Sequence, residues 1–433
     1  MGTQDRAAGT NSRLTSRPGV FAPFRSAGYR WLWASNALSS SGRWALVLVL
    51  SSQLLLETRS SFWVGLGLFL TQGPVVLLAP LSGVLADRLD RRTLNVLSSA
   101  LAAVVTGLFA GLTWLGTLTL PVMLLLTFVY GISFAFQLTL RSTLVPGLVR
   151  PQNLLSGVSL FQVGTQGAQF LGPAIAAPLL VRGGPAAAWS LCAILYAGSA
   201  VLSIPVGEAR AATTSERRRT GLAGSLAYLR LRPLAWTAIW AVSLHCALTM
   251  GYQGMLPMFV SMDLHSDPAA YGALLASIGL GAVVGSVMLA QLSAPRYRSA
   301  LFVVSLVGSG AALAVMGATS SIEAAVASGF FVGATQAMFM SMALALIQGA
   351  VEDEFRGRAT SVYQMITMTP MAVFGWGMGG LADVTEPRPL LITSGIAFLV
   401  VIAACVVMSR WLRSLFDANS WAYKPAVAPG AVS

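Results

Sequence analysis

Charge is scarce in this 433-residue chain, and acid is scarcest: charged residues make up 10%, with 15 Asp and Glu against 27 Lys and Arg. Ordinary soluble domains carry about 25% charged residues. Here 55% of residues are hydrophobic and the mean hydropathy is +0.72, which excludes that class. Lysine is reduced to Lys424; the 26:1 excess of arginine hints at a GC-rich genome and carries no mechanism. The only cysteines, Cys192, Cys246 and Cys405, lie in apolar stretches without a CxxC or a His-Cys cluster. That excludes a disulfide framework and a thiolate metal site. There is no P-loop, no Ser-His-Asp set and no pair of carboxylates. Enzymatic chemistry and a bound cofactor are therefore not expected, and an ATP-driven pump would need its nucleotide domain on another chain.

What the chain has is length of apolar run. Twelve spans stand near residues 31–52, 62–85, 94–116, 119–140, 155–180, 187–206, 234–260, 269–292, 299–318, 323–348, 361–382 and 389–409. Each reaches the roughly twenty residues that cross a hydrocarbon core as helix. The spacing predicts an all-α membrane protein of twelve transmembrane helices, and the lipid bilayer is its first partner. A polar tail of 28 residues precedes the first span, too long and too weakly organised for a signal peptide.

The net charge of +12 raises the question of nucleic acid, and its distribution answers it. Cations gather in alternate short loops: Arg88, Arg91 and Arg92; Arg141 and Arg150; Arg217, Arg218 and Arg219; Arg296 and Arg298; Arg356 and Arg358; Arg410 and Arg413. Arg59, Arg182 and Arg388 fall on the other side, and Arg43 falls within the membrane. This is the positive-inside pattern, which places both termini in the cytoplasm and argues against a nucleic-acid partner.

One of these loops is a dense motif, Gly83-Val84-Leu85-Ala86-Asp87-Arg88-Leu89-Asp90-Arg91-Arg92. It resembles the loop between the second and third helices of major facilitator superfamily transporters, with Asp90 where a second glycine is usual. The resemblance implies that Gly83, Asp87, Arg88, Arg91 and Arg92 form a gating latch. Asp87 would act through a neighbouring arginine or a helix N-terminus, whose dipole favours an anion.

The chain is also an internal duplication. At a constant offset of 202, Gly131-x-Ser133-x-Ala135 falls on Gly333-x-Thr335-x-Ala337, Ser159-x-Phe161-Gln162 on Ser361-x-Tyr363-Gln364, and Arg30-x-Leu32 on Arg232-x-Leu234. Gly83 falls on Gly285, but Asp87 falls on Leu289 and Arg91 on Ser293, so the second copy of the latch has no charges. The expected organisation is a cytoplasmic tail 1–28, a six-helix half 29–206, a cytoplasmic linker 207–232, a six-helix half 233–410 and a tail 411–433. Two such pseudo-symmetric halves with substrate near the midplane are the facilitator fold.

Leu144-Val145-Pro146, Asn153-Leu154, Phe24-Arg25 and Glu352-Asp353-Glu354-Phe355-Arg356-Gly357-Arg358 narrow the resemblance to a bacterial branch of that superfamily. The branch contains enterobactin-exporter-like proteins, secretion effectors and multidrug efflux proteins. Gly172-Pro173 is similar to the Gly-Pro of the exporter signature, with Ala168, Ala176 and Ala177 in place of its glycines, and implies a kink in helix five. The resemblance thus implies a secondary active transporter in a bacterial cytoplasmic (inner) membrane. It would act as a monomer, exporting an amphipathic small molecule (siderophore, drug or metabolite) by alternating access. An importer or uniporter is one alternative; a non-transporting assembly factor or sensor is the other.

The span interiors hold few polar groups. Arg43 and His245, which differ by 202, stand at matching depths in spans one and seven. A cation at mid-membrane costs about 3 kcal/mol and faces a wet cavity or a partner, and no acid lies mid-span to neutralise it. Arg43 therefore points either to an anionic substrate or to pairing with helix carbonyls. His245 is either a protonatable coupling group, with protons as the coupling ion, or a hydrogen-bonded packing residue. Gln162, Gln166 and Gln169 share a face of span five at i, i+4 and i+7. With Gln137, Gln253, Gln336, Tyr363 and Gln364 they are candidates for the substrate cavity or for gluing helices together.

Overall fold

The computed structural model describes residues 21–88, 90–206, 222–292, 297–352 and 356–408, and among them there is no strand. Helix starts follow local chemistry. Helix α1 (Ala27–Thr58) begins at Ser26, whose side chain accepts the Tyr29 N–H at 3.5 Å. Helix α2 spans Ser61–Arg88, and α3 (Arg91–Trp114) is capped by Asp90. Helix α4 runs Leu120–Leu148, α5 runs Leu154–Ser203 and α6 runs Leu222–Arg230. Helix α7 (Pro233–Thr249) continues through a 3-10 turn at Gly251–Gly254, the short α8 (Leu256–Met258) and a π turn at Phe259–Asp263. Asp267 caps α9 (Pro268–Gln291) ahead of a proline at its first position, where the missing N–H costs nothing. Helix α10 spans Arg298–Ala318, and α11 (Ile322–Gly349) starts at Ser321 with Glu323 in its first turn. Helices α12 (Arg356–Thr385) and α13 (Pro387–Met408) complete the bundle.

Eight helices among the described residues are long and apolar enough to cross a membrane. Helix α1 is not among them, because its buried length carries Ser35, Asn36, Ser39, Ser41, Ser51, Ser52 and Gln53. Helix α5 is two rods that meet at Gly184, with φ 73° and ψ −179°. Gly184 falls in the turn between the expected spans five and six, and Gly172-Pro173, the expected helix-five kink, lies inside the first rod. The expected linker 207–232 holds α6, which packs on α7 and α12. Arg141, read from sequence as a loop cation, lies inside α4.

The duplication is visible in which helices touch. Helix α2 packs on α4 as α9 packs on α11, α3 on α5 as α10 on α13, and α1 on α5 as α7 on α12. The offset-matched glycines do the same work: a Cβ on Gly131 would strike the Leu70 carbonyl of α2, and one on Gly333 the Ile278 carbonyl of α9. Small residues bring backbones together where lipid supplies no hydrophobic drive.

Between the halves, α2 packs against α12 and α5 against α9. The closest approaches lie toward the end of the bundle that holds the α1–α2 turn. Gly65 faces Gly375 and Trp376, Gly379 faces Ser61, Gly272 faces Ala177, and Gly279 faces Gln169. Phe62 and Phe69 add ring contacts to Trp376, with centroids 5.6 and 5.5 Å away.

Candidate functional site

Arg43, midway along α1, is the cation to explain. Its guanidinium lies over the Phe134 ring of α4, 4.4 Å from the centroid, and 5.3 Å from that of Trp44. Tyr196 packs beside it against Gly42, and the Tyr196 and Tyr130 hydroxyls share a 2.6 Å hydrogen bond. Arg43 is partly buried and has no hydrogen-bond acceptor or acid among the described residues. The ion pairs Arg232–Glu352 (2.7 Å) and Arg388–Asp263 (3.3 Å) both sit at helix ends. Cation–π contact offsets part of the cost of burying Arg43 and leaves its N–H donors unused. Among the described residues the carbonyl pairing that was the alternative explanation is not found.

His245 occupies the offset-matched place and meets the opposite environment. It is 0% exposed. Its Nε2 lies 2.8 Å from Ser309 Oγ, its ring is 4.4 Å from Phe339 and 5.5 Å from Phe398, and Nδ1 has no partner. Aromatic packing thus buries it within the second half in this conformation. The cavity-wall place expected for it is therefore not the one it occupies in this conformation.

The glutamines and tyrosine also divide. Gln137 donates to Ser133 Oγ (2.9 Å) in its own helix and to the Ser98 carbonyl of α3 (3.4 Å), Gln336 donates to the Thr249 carbonyl (2.5 Å), and Tyr363 donates to the Met340 carbonyl (3.0 Å). These three hold helices together and are buried. Gln162, Gln166, Gln253 and Gln364 have no side-chain partner among the described residues, and none is fully buried. Gln162 and Gln166 continue, toward the chain-terminus end, the face of α5 that meets α9 at Gln169 and Gly279. Gly172 brings α5 against Ser41, Trp44 and Ala45 of α1. With Pro173, it therefore marks a helix crossing beside Arg43.

Sequence reading missed a second buried cation. Arg141 is 5% exposed, and its Nε donates to Asn95 Oδ1 at 3.1 Å. Its terminal nitrogens donate to Ser99 Oγ (3.1 Å), Ser199 Oγ (3.0 Å) and Ser39 Oγ. Ser35, Ser203 and Asn95 extend the network at 2.8 to 2.9 Å. The partners come as i, i+4 pairs on three helices: Ser35/Ser39, Asn95/Ser99 and Ser199/Ser203. That spacing was the available signal. The guanidinium thus has neutral acceptors in place of a counter-charge.

At the latch, Arg91 and Arg92 open α3 and Asp90 is its N-cap, accepting from Thr93 Oγ1 (2.7 Å), Thr93 N–H (2.9 Å) and Arg92 N–H (3.2 Å). The Thr93 hydroxyl above all, helped by the backbone donors and Arg92, holds the Asp90 carboxyl below its ordinary range against an opposing desolvation. The side chains of Gly83, Asp87 and Arg88 lie outside the described residues. A groove of about 580 Å³ between α9 and α11 is lined by Ala269, Ala270, Ala273, Val326 and Ala327 with Glu323 at its edge. A single polar group gives it none of the convergent donors a ligand site needs.

The sequence model of the transmembrane secretion effectors matches residues 18–427. The chain belongs to that family, a branch of the major facilitator superfamily, and is a multi-pass membrane transporter. As a secretion effector it is similar to the enterobactin exporter EntS of Citrobacter koseri, 24% identical over 383 residues, covering 86% of this chain and 89% of that protein. The EntS of Escherichia coli O139:H28 is 23% identical over 380 residues, covering 86% and 89%. Among solved structures, a point mutant of the nucleoside transporter NupG superposes with TM-score 0.68 at 14% identity, covering 88% of this chain and 100% of that one. A bacterial homologue of the lysosomal transporter Spinster, inward-facing and unoccupied, gives TM-score 0.66 at 16% identity, covering 93% and 99%. At these identities the structural likeness shows the fold.

Proposed function

We propose that this protein is a secondary active exporter. It moves an amphipathic small molecule with an anionic oxygen group out of a bacterial cytoplasm, across the cytoplasmic membrane, by alternating access. It works as a monomer with twelve membrane passes and both termini inside. The observation that carries the reading is Arg43: a membrane-interior guanidinium seated on Phe134, with no acceptor for its donors among the described residues. A buried cation without an acceptor is costly, and an arriving carboxylate or phenolate would supply one. Gln162, Gln166, Gln253 and Gln364 offer neutral hydrogen bonds for the rest of the ligand. The outward direction follows the relatives named as exporters. With both termini inside, contacts gathered at the α1–α2 end leave the chain in an inward-open state.

The test is uptake into inside-out vesicles by protein carrying Arg43→Gln. Loss of one charge-assisted hydrogen bond costs about 1.5–3 kcal/mol, so affinity for anionic compounds should fall roughly 10- to 150-fold. Neutral compounds should be little affected. Equal losses for anionic and neutral compounds would refute the anion site. Collapsing the pH gradient in the same vesicles reads whether protons drive the cycle.

A further inference from the structure

The two halves are joined at one end by a carboxylate that serves a helix it does not belong to. Asp383, near the end of α12 in the second half, reaches the N-terminus of α2 in the first. Its Oδ1 accepts the Ser61 N–H at 2.5 Å, and its Oδ2 accepts the Phe62 N–H at 3.1 Å and the Ser60 hydroxyl. The first N–H groups of a helix have no partner within it, and a side-chain oxygen from the preceding residue normally takes one. Ser60 occupies that preceding place, yet its hydroxyl donates to Asp383. The capping function has passed to the other half of the protein, and with it the charge that the helix dipole favours. Arg59, held at φ 50° as the last residue before this turn, fixes the direction in which α2 starts.

Below the cap, α2 and α12 run antiparallel, with Ser61 against Gly379 and Gly65 against Gly375. These contacts are backbone against backbone and carry no charge. Apart from a weak contact of the Ser61 hydroxyl with Met258 Sδ, the Asp383 hydrogen bonds are the polar contacts among the described residues that hold this seam shut. We propose that Asp383 is the releasable clasp of the α2–α12 seam: it closes the α1–α2 end in the conformation seen here and lets go when that end opens. Because the helices are antiparallel, Asp87, one residue before the end of α2, holds the matching position for the other end, where α12 starts at Arg356. The inference adds a second gate, opposite the expected Asp87 latch. Its consequence for transport rests on the alternating-access reading, but it can be tested through conformation alone.

The experiment uses the full chain with Cys192, Cys246 and Cys405 replaced by alanine. Spin labels go on Leu56→Cys and Val384→Cys, both exposed beside the clasp. Double electron–electron resonance in lipid, without substrate, reads the ratio of closed to open separation at that end. Asp383→Ala and Asp383→Asn should each move the ratio toward open by roughly 5- to 30-fold, and Asp383→Glu should restore most of it. Ser60→Ala, which removes one of the three hydrogen bonds and is safe for folding, should move it in the same direction by roughly 2- to 5-fold. An unchanged ratio in Ser60→Ala and in whichever Asp383 variants fold would overturn the proposal. So would a fall in melting temperature with no change in the ratio, which marks a structural cap only. Failure of the Arg43 transport test would leave these results standing.

Discussion

The two halves share a backbone plan and differ in what fills them. At the offset of 202, Ser39 of the Arg141 network answers to Ala241, Ser99 to Leu301, Gln137 to Phe339, Arg141 to Ala343 and Ser203 to Cys405. All five counterparts belong to, or pack against, the apolar cluster around Phe302, Leu346 and Phe398. The first half thus closes its terminus end with a hydrogen-bonded guanidinium, the second with hydrocarbon. Apolar packing tolerates sliding because dispersion has no direction, whereas a guanidinium with fixed donors accepts one arrangement of four helices. The first half is built to move as a body. The second half can adjust, and it is the half whose seventh helix runs into a 3-10 turn and a π turn.

Replacing Arg141 tests the contrast most severely. Arg141→Ala should cost about 3 kcal/mol in detergent-solubilised protein, from the void and from stranded Ser and Asn hydroxyl and amide groups. Adding Ser39→Ala, Ser99→Leu and Gln137→Phe, the second half's own residues, should recover at least about half of that loss, because replacing a buried ionic cluster with packed hydrocarbon is often neutral. Strictly additive losses would show that the halves cannot exchange interiors.

The pair Arg43 and His245 gives the next largest effect. His245→Leu should cost about 1–2 kcal/mol of stability, since Ser309 loses its shorter hydrogen bond and keeps only the 3.4 Å one to Thr249, while the pH dependence of transport between about pH 5 and 8 stays as in wild type. Arg43→Gln should leave stability nearly unchanged, since the guanidinium has no hydrogen bond to lose. A flattened pH profile in His245→Leu would return the histidine to the coupling mechanism.

The smallest effect is at the helix starts. Asp90 caps α3, while its counterpart is Leu292 and α10 begins at Tyr297 with no side-chain cap. A carboxyl whose folded pKa is lowered from the ordinary 3.8 stabilises fully above about pH 4. That contribution is lost as pH falls through the lowered value. Protection factors in the first turn of α3, referred to intrinsic amide exchange at each pH, should therefore fall on acidification, and those of α10 should not. Asp90→Ala should abolish the difference at a cost of about 0.5–1 kcal/mol.

Much of this architecture was legible in the sequence because span length and apolar content are local quantities. The expected spans 269–292 and 323–348 even begin within a residue of α9 at Pro268 and α11 at Ile322. What stayed hidden depended on distant partners. Arg141, beside Ser142, Thr143 and Pro146, reads as the beginning of a loop, and its acceptors lie 42 to 102 residues away. Asp383 reads as an acid at a membrane edge, with a partner 323 residues distant. The repeat placed His245 level with Arg43, but equal depth does not say which aromatic rings close over a side chain. The open glutamines differ from the bonded ones only in what stands opposite them.

Gly184 deserves a genetic reading. Its φ of 73° with ψ near 180° lies in a region that only glycine occupies freely, and the turn there joins two long rods with nothing else between them. Every missense change reachable by one base from a glycine codon installs a side chain, each at a cost of roughly 1–3 kcal/mol. Saturation mutagenesis should therefore show a sharply intolerant column at Gly184, while Arg182, exposed two residues earlier, is free to vary.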